Sequence, residues 1–232
     1  MRINKYLAHN NIASRREADV LIAAGKVLIN GKKAEMGQQV EEGDRVDIKG
    51  KTKSKTYLAY YKGRGIITHS PSVKETDIAT KLETDYGLTG VAPVGRLDKD
   101  SEGLIILSND GRITGPLLNP EANHEKEYEV LVDKRVSGMF VRAMQNGVDI
   151  EGYRTKPAKV APSQKNDKRF TLIITEGKKH QIRRMCAALG FQVQTLKRTR
   201  VMNIKLGKIK PNQFRKIEGS ELDTLLKSLK IK

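Results

Sequence analysis

Residues 49–56, "KGKTKSKT", contain no apolar side chain. A basic, polar run of that length has nothing to bury, so the apolar pattern on either side must close on itself separately. The stretch reads as a linker between a small domain, residues 1–48, and a larger one, residues 57–232. A chain of 232 residues suits such a pair.

The small domain reads as two helices and a short sheet. Ile3, Leu7 and Ala8 fall at one-turn spacings in a helix ending at Asn10-Asn11. In "SRREADVLIAAG", Ser14 and Glu17 have capping-box spacing, Ala18, Leu21 and Ile22 give the apolar face, and Gly25 is the stop. Asn30-Gly31 in "KVLINGKKAE" signals a hairpin, and "EEGDRVDIKG" supplies a turn and a last short strand. Arg15 and Arg16 sit in a first helical turn, with Lys26, Lys32 and Lys33 around the hairpin. Cations beside exposed helix N–H groups make a phosphate-binding surface; the alternative is a solvated helix face.

The whole chain is basic, with 44 Lys and Arg against 27 Asp and Glu, a net charge of +17. That much self-repulsion suits a polyanionic partner, nucleic acid first and an acidic membrane surface second. One cysteine excludes an internal disulfide framework and a cysteine zinc site. No apolar run is long enough to span a membrane, and "MRINKYLAHN" has no signal-peptide core, so a cytoplasmic protein is expected.

From Tyr57 the pattern is strand-rich. "YLAYY", "GIITH", "LIILS", "KEYEVLV" and "RFTLIIT" read as strands, with "MNIKL" a further candidate. Helices are predicted near 77–86, 137–146, 179–189 and 220–229, the last with Leu222, Leu225, Leu226 and Leu229 on one face and Ser220 as cap. The elements do not alternate strictly. The fold class is therefore α+β: a small N-terminal α/β domain, then a mixed, mainly antiparallel sheet with flanking helices.

Several chemistries drop out. His69, His124 and His180 are scattered and His9 lies in the small domain, so no metal-ligand spacing appears. There is no G-x-S-x-G elbow, P-loop or kinase glycine loop. Cys186 reads as core. Three stretches remain: "GRLDKDSEGLIILSNDG", "NHEKEYEVLV" and "EGKKHQIRRMCAALGFQVQTLKRTRV". Taken alone, Asp98 in the first is a turn residue or an ion-pair partner. Tyr128 in the second is a half-buried strand residue, and Arg183 and Arg184 open a helix in the third. Arg96 precedes Asp98 by two, so both would share a side of an extended strand. Gly95 and Gly103 bracket the motif, where the chain turns sharply or a nucleic-acid backbone approaches, and Ser101 reads as a local cap.

Together these stretches resemble the pseudouridine synthases that modify ribosomal RNA. "RINKYLAHNNIASRREADVLIAAGKVLINGK" resembles the small RNA-binding domain, named after a ribosomal small-subunit protein, that heads many of them. "GRLDKDS", "HEKEY" and "QIRRMC…TRVMN" are most similar to the RluF subgroup, and the likeness runs from Arg2 to about Ile217. It implies isomerisation of uridine to pseudouridine in large-subunit (23S) ribosomal RNA by base flipping, with no cofactor and no metal. It also implies Asp98 as nucleophile, Arg183 as its ion-pair partner, Tyr128 stacked on the base and Arg96 as the wedge holding the flipped state. Lys126, Arg184, Lys197 and Arg198 become phosphate-contact candidates, with Arg15, Arg16 and Lys32 in the small domain.

A monomer is expected. Small-subunit ribosomal RNA or tRNA is the alternative target, and a non-catalytic RNA-binding ribosome-assembly protein the alternative class. One departure stands out. Tyr61-Lys62-Gly63-Arg64-Gly65 replaces the family's "NKPxG", and loss of the proline predicts a looser turn.

Overall fold

A computed structural model describes residues 1–10, 12–50, 54–69 and 75–231. In the N-terminal unit, α1 (Ile3–His9) and α2 (Arg15–Ala23) pack on a sheet of β1 (Val27–Ile29), β2 (Lys32–Lys33) and β3 (Val46–Ile48), in the order β2-β1-β3. Ile3, Leu7, Ala18, Ile22, Val27 and Ile29 form its own core. The β1–β2 hairpin turns through Asn30 and Gly31, both at positive φ. Ser14 Oγ accepts from Glu17 N, half of the expected capping box. The other half is missing because the Glu17 carboxylate takes Lys55 Nζ at 2.6 Å instead.

The expected linker is thus anchored at its far end. Thr56 N donates to Asn109 Oδ1, and Asn109 Nδ2 donates to Ser54 O. The middle of the linker, residues 51–53, lies outside the described residues. Gly111 lies against Ser14 so closely that a methyl at 111 would overlap the serine side chain.

The larger unit contains β4 (Tyr57–Lys62), α3 (Ile78–Tyr86), β5 (Ala92–Val94), β6 (Glu102–Ser108), α4 (Thr114–Leu118), β7 (Lys126–Val132) and α5 (Gly138–Gln145). There follow β8 (Asp149–Ile150), β9 (Tyr153–Arg154), β10 (Lys159–Pro162), β11 (Arg169–Ile174), α6 (Gln181–Ala188), β12 (Val193–Val201), β13 (Ile204–Lys205), β14 (Phe214–Lys216) and α7 (Gly219–Ser228). Nine strands form one sheet in the order β10-β11-β7-β12-β6-β4-β14, with β13 on β12 and β5 on β6. Every pairing is antiparallel except β12 with β6.

That exception positions the site. β12 pairs with β6 only at Glu102 and Gly103, whereas β5 takes the same edge from Ile106 to Ser108. The two strands diverge, and the β5–β6 connection, residues 95–101, crosses the gap. Helices seal the rest: Phe140, Met144, Ile182 and Met185 pack with β7, β11 and β12, while Leu225 and Leu229 pack with β4, β6 and β13. No helix among the described residues is long and apolar enough to cross a membrane.

Some sequence expectations need correction. "GIITH" is not a strand; Ile67 makes one isolated bridge with Asp77. The longest strand, β12, and the shorter β5, β10 and β14 had no clean alternation to reveal them. Ser220 is inside α7, whose N-cap position is Glu218, without a side-chain cap bond. The turn at Gly63 is also tight rather than loose. Gly63 N donates to Asn212 Oδ1 at 2.9 Å, a bond proline could not make.

Candidate active site

The gap between β12 and β5 opens into a cleft of about 610 Å³. Arg96, Asp98, Ser101, Lys126, Tyr128, His180 and Arg198 are among its lining residues. A second hollow of about 410 Å³ lies on the other side of the 95–101 loop, and Arg96, Leu97, Asp98 and His180 line both. Asp98 therefore stands on a partition between two concave surfaces.

The partition is held through its main chain. Buried Thr68 clamps Leu97: its Oγ1 donates to Leu97 O at 2.8 Å and accepts from Leu97 N at 3.1 Å. One side chain thereby supplies both bonds of a strand neighbour, with Arg96 and Asp98 on either side of the clamped residue. Ser101 N closes a turn on Asp98 O at 3.1 Å. Beneath the loop Lys62 is fully buried (0% exposed), and its ammonium bonds the carbonyls of Gly63, Ile66 and Lys99.

The opposite wall is the turn from β11 into α6. Glu176, buried, accepts from Tyr153 Oη (2.6 Å), Lys156 N (3.0 Å) and Gln181 Nε2 (2.5 Å). Gln181 Oε1 in turn accepts from Lys178 N. This network holds His180 in a left-handed conformation, φ +53°, costly for any residue with a Cβ. His180 Nε2 lies 3.7 Å from Asp98 Oδ1.

Residues 56–188 match the RNA pseudouridylate synthase family, and residues 1–46 match the S4 domain. The dual-specificity RNA pseudouridine synthase RluF of Escherichia coli K12 is 39% identical over 98% of this chain and 79% of its own. The ribosomal large subunit pseudouridine synthase B of Bacillus subtilis is 33% identical over 97% and 95%. A crystal structure of a pseudouridylate synthase superposes with a TM-score of 0.71 at 28% identity, covering 97% of this chain and 99% of that one. The chain belongs to the RNA pseudouridine synthases.

The synthase cleft gathers most of the residues singled out in the sequence. Asp98 and Arg96 line it from a loop, not from the extended strand expected. Tyr128 is only 7% exposed and belongs to the core cluster, while also lining the cleft. The Asp98–Arg183 ion pair is not formed. Arg183 bonds the carbonyls of Val193 and Asp100, and the side chain that stands beside the Asp98 carboxylate is the His180 imidazole, at 3.7 Å. Arg183 does reach the second hollow beside Asp98.

Two of the expected phosphate contacts are drawn inward. Arg198 is 6% exposed and bonds Leu104 O and Arg96 O, and Lys126 is half-buried. Arg184 is tied to Glu151 at 2.7 Å, and Lys197 lies over the Tyr61 ring. Arg15, Arg16 and Lys32 are exposed on the N-terminal unit, and Arg15 joins Arg2 and Lys5 around a shallow hollow. Ser101 is 1% exposed, and its Oγ caps nothing and has no partner among the described residues. Gly103 makes its close approach to the backbone of Arg198 on β12, not to nucleic acid.

The sequence reasoning missed Thr68, Glu176, Gln181 and His180. Only the spacing of Glu176 and Gln181 across a glycine-lysine turn hinted at them. Among the described residues no group of three or more His, Cys, Asp or Glu could hold a metal ion.

Burial pushes the Lys62 ammonium down to about 8, against the pull of Asp98, Asp100 and Glu102. Because the folded value lies below the unfolded one, the burial cost is fully present below pH 8. It is released as pH rises from about 8 toward the ordinary lysine value of about 10.4. Melting temperature should therefore climb between about pH 8 and 10 in the wild type and climb less in Lys62→Met. Equal slopes would remove Lys62 as the cause. At pH 7 the same variant should lose about 1–3 kcal/mol, since three carbonyls lose their donor.

Proposed function

We propose that this synthase converts one or a few uridines of large-subunit (23S) ribosomal RNA to pseudouridine during ribosome biogenesis. Residues 1–48 serve as the RNA-binding domain, 49–56 as linker and 57–232 as catalytic domain. It works in the cytoplasm as a monomer and without a cofactor, since isomerisation needs neither an oxidant nor a group donor.

The observation that carries this reading is the state of Asp98. Its carboxylate accepts no hydrogen bond from any described residue, yet the loop bearing it is clamped at Leu97 and Asp98. A held but uncommitted carboxylate facing a cleft suits an attacking group. In the reaction the N1–C1′ bond breaks, the C5–C1′ bond forms, N1 gains a proton and C5 loses one. Asp98 acts at the ribose, by attack on C1′ or by taking the C2′ proton. Tyr128 offers the base a ring face, and Arg96, exposed at the mouth, occupies the space a flipped base leaves. Flipping costs a few kcal/mol, which such contacts offset. Arg183 is the reserve cation for the carboxylate, once RNA entering the second hollow displaces its carbonyl bonds.

The large-subunit assignment is supported by the Bacillus subtilis relative's name and is tested directly. Pseudouridines are mapped in RNA from cells lacking the protein and from the same cells complemented. A large-subunit position lost and restored is the expected result. A lost position in small-subunit RNA or tRNA would move the target, and an unchanged map would overturn the reading.

The N-terminal unit should contribute charge, not chemistry. Arg15→Ala with Arg16→Ala should weaken RNA binding and flatten the log K against log salt slope by about 1–2, with turnover at saturating RNA unchanged. A salt-independent affinity would refute phosphate binding on that face.

A further inference from the structure

The cations around the cleft fall into two groups. Arg96, Lys178 and Lys179 are exposed at its mouth, where phosphates travel. Lys126 and Arg198 lie deeper. Lys126 is half-buried and Arg198 buried, and neither has a carboxylate partner within 4 Å among the described residues. Among the described residues the only bond of the Lys126 ammonium is a long one, 3.4 Å, to His124 O. Lys126 and Tyr128 are two apart on β7 and so share a face, and Arg198 is the β12 partner of Tyr128. The Ser101 hydroxyl lines the same cleft, buried and without a partner among the described residues.

Such an arrangement is unfavourable in the free protein. Burial and the Arg198 charge both push the Lys126 ammonium below the ordinary lysine range, and Glu176 compensates only in part. Cations set into a cleft wall without a carboxylate partner make sense if an anion arrives later. A phosphate on the RNA backbone is anionic from the start and would meet the cations at the mouth. Uracil is neutral while bonded to ribose and becomes an anion only when the N1–C1′ bond breaks. The electron pair of that bond then spreads over N1 and the two carbonyl oxygens.

We propose that Lys126 is a catalytic residue that hydrogen-bonds a carbonyl oxygen of the departing uracil, with Arg198 and the Ser101 hydroxyl completing a site for the uracil anion. This rests on the cleft being the reaction site. The ammonium is relieved of its unfavourable surroundings as negative charge develops, so it binds the transition state more strongly than the ground state. The charge disperses when C5 bonds to C1′, and the C5 proton lost and the N1 proton gained leave neutral pseudouridine. The neutral product then no longer holds the site.

The test uses leaving-group chemistry. Full-length wild type, Lys126→Met and Lys126→Gln are assayed in single turnover at saturating RNA, with the target as uridine or 5-fluorouridine. Consumption of the target nucleoside is read by digestion and mass spectrometry, and RNA affinity is measured separately. Fluorine stabilises the uracil anion, so less help from Lys126 is needed. The variants should slow uridine conversion about 10²–10³-fold, the loss typical of one such donor, with affinity nearly unchanged. With 5-fluorouridine the loss should be at least tenfold smaller. Equal slowing on both substrates, or a defect confined to affinity, would overturn the proposal. Wild type inactive on the uridine RNA would instead count against the proposed function, and 5-fluorouridine consumption slowed no less in the variants than uridine consumption would count against Lys126. Lys126→Gln, polar and of similar reach, covers the case in which the methionine variant does not fold.

Discussion

Asp98→Asn is expected to lower pseudouridine formation by about 10⁴-fold or more, the scale of losing a nucleophile. The amide keeps the carboxylate's shape and removes its charge. The rest of the protein should not register the change. The loop is positioned by Leu97 main-chain bonds to Thr68 and by the Ser101 N to Asp98 O turn, not by the Asp98 side chain. Stability should stay within about 0.5 kcal/mol of wild type. RNA affinity should be equal or slightly higher, because a negative charge has left a basic cleft. Release of the C5 hydrogen as tritium gives the rate, and filter binding gives the affinity. A variant keeping a few per cent of wild-type rate would end the nucleophile assignment, even if the cleft remained the site.

The largest structural effect is expected at Gly103. It has φ +107°, a region closed to L side chains, and it pairs with Lys62 on β4 and Arg198 on β12. A methyl there would overlap the carbonyl oxygen and the amide nitrogen of Arg198, which are backbone atoms and cannot swing aside. Strain and overlap together should cost at least about 3 kcal/mol, or roughly 6–12 °C in melting temperature for a domain of this size. Activity should fall further than stability, because the displaced strand carries Arg198 into the cleft floor. Gly138→Ala serves as control. Gly138 begins α5 with open space around its Cα and ordinary φ, so alanine should be neutral or stabilising by up to about 1 kcal/mol. Comparable melting temperatures for the two variants would show that β12 accommodates a side chain at 103.

These two positions also separate what could be read early from what could not. The helices were legible because their signals are local. The Asp77 and Ser137 caps each accept from the amide three residues on, and Gly25 and Gly87 take the left-handed φ that ends a helix. The β7 strand was legible through its alternation, since Tyr128, Val130 and Val132 are buried on one face. β12 was not, because its residues face a sheet on both edges and a polar cleft on part of one face, so "VQTLKRTRV" has no simple period.

The candidate site divides the same way. Asp98, Tyr128, Lys126 and Arg96 were named from motif context, and the cleft holds all four. Lys126 and Arg198, phosphate-contact candidates by sequence, sit deeper than the sequence reveals because burial is set by residues far along the chain. Arg198 reaches Leu104 O across 94 positions. The expected Asp98–Arg183 pair failed for a related reason: carbonyls of Asp100 and Val193 capture the guanidinium first.

By itself the sequence determined a basic, two-part chain, the order of its helices and main strands, and the residue types available for the chemistry. Those follow from local periodicity, capping and charge, which need no knowledge of distant neighbours. Only the tertiary structure decided that β12 and β5 share one edge of β6, which opens the cleft. It also decided that Thr68 and Lys62 hold the loop, that His180 stands beside Asp98, and that Lys126 and Arg198 line the cleft without a carboxylate partner among the described residues. Each of these depends on groups distant in the chain meeting within a few ångströms, and such contacts are fixed by packing rather than by any local pattern.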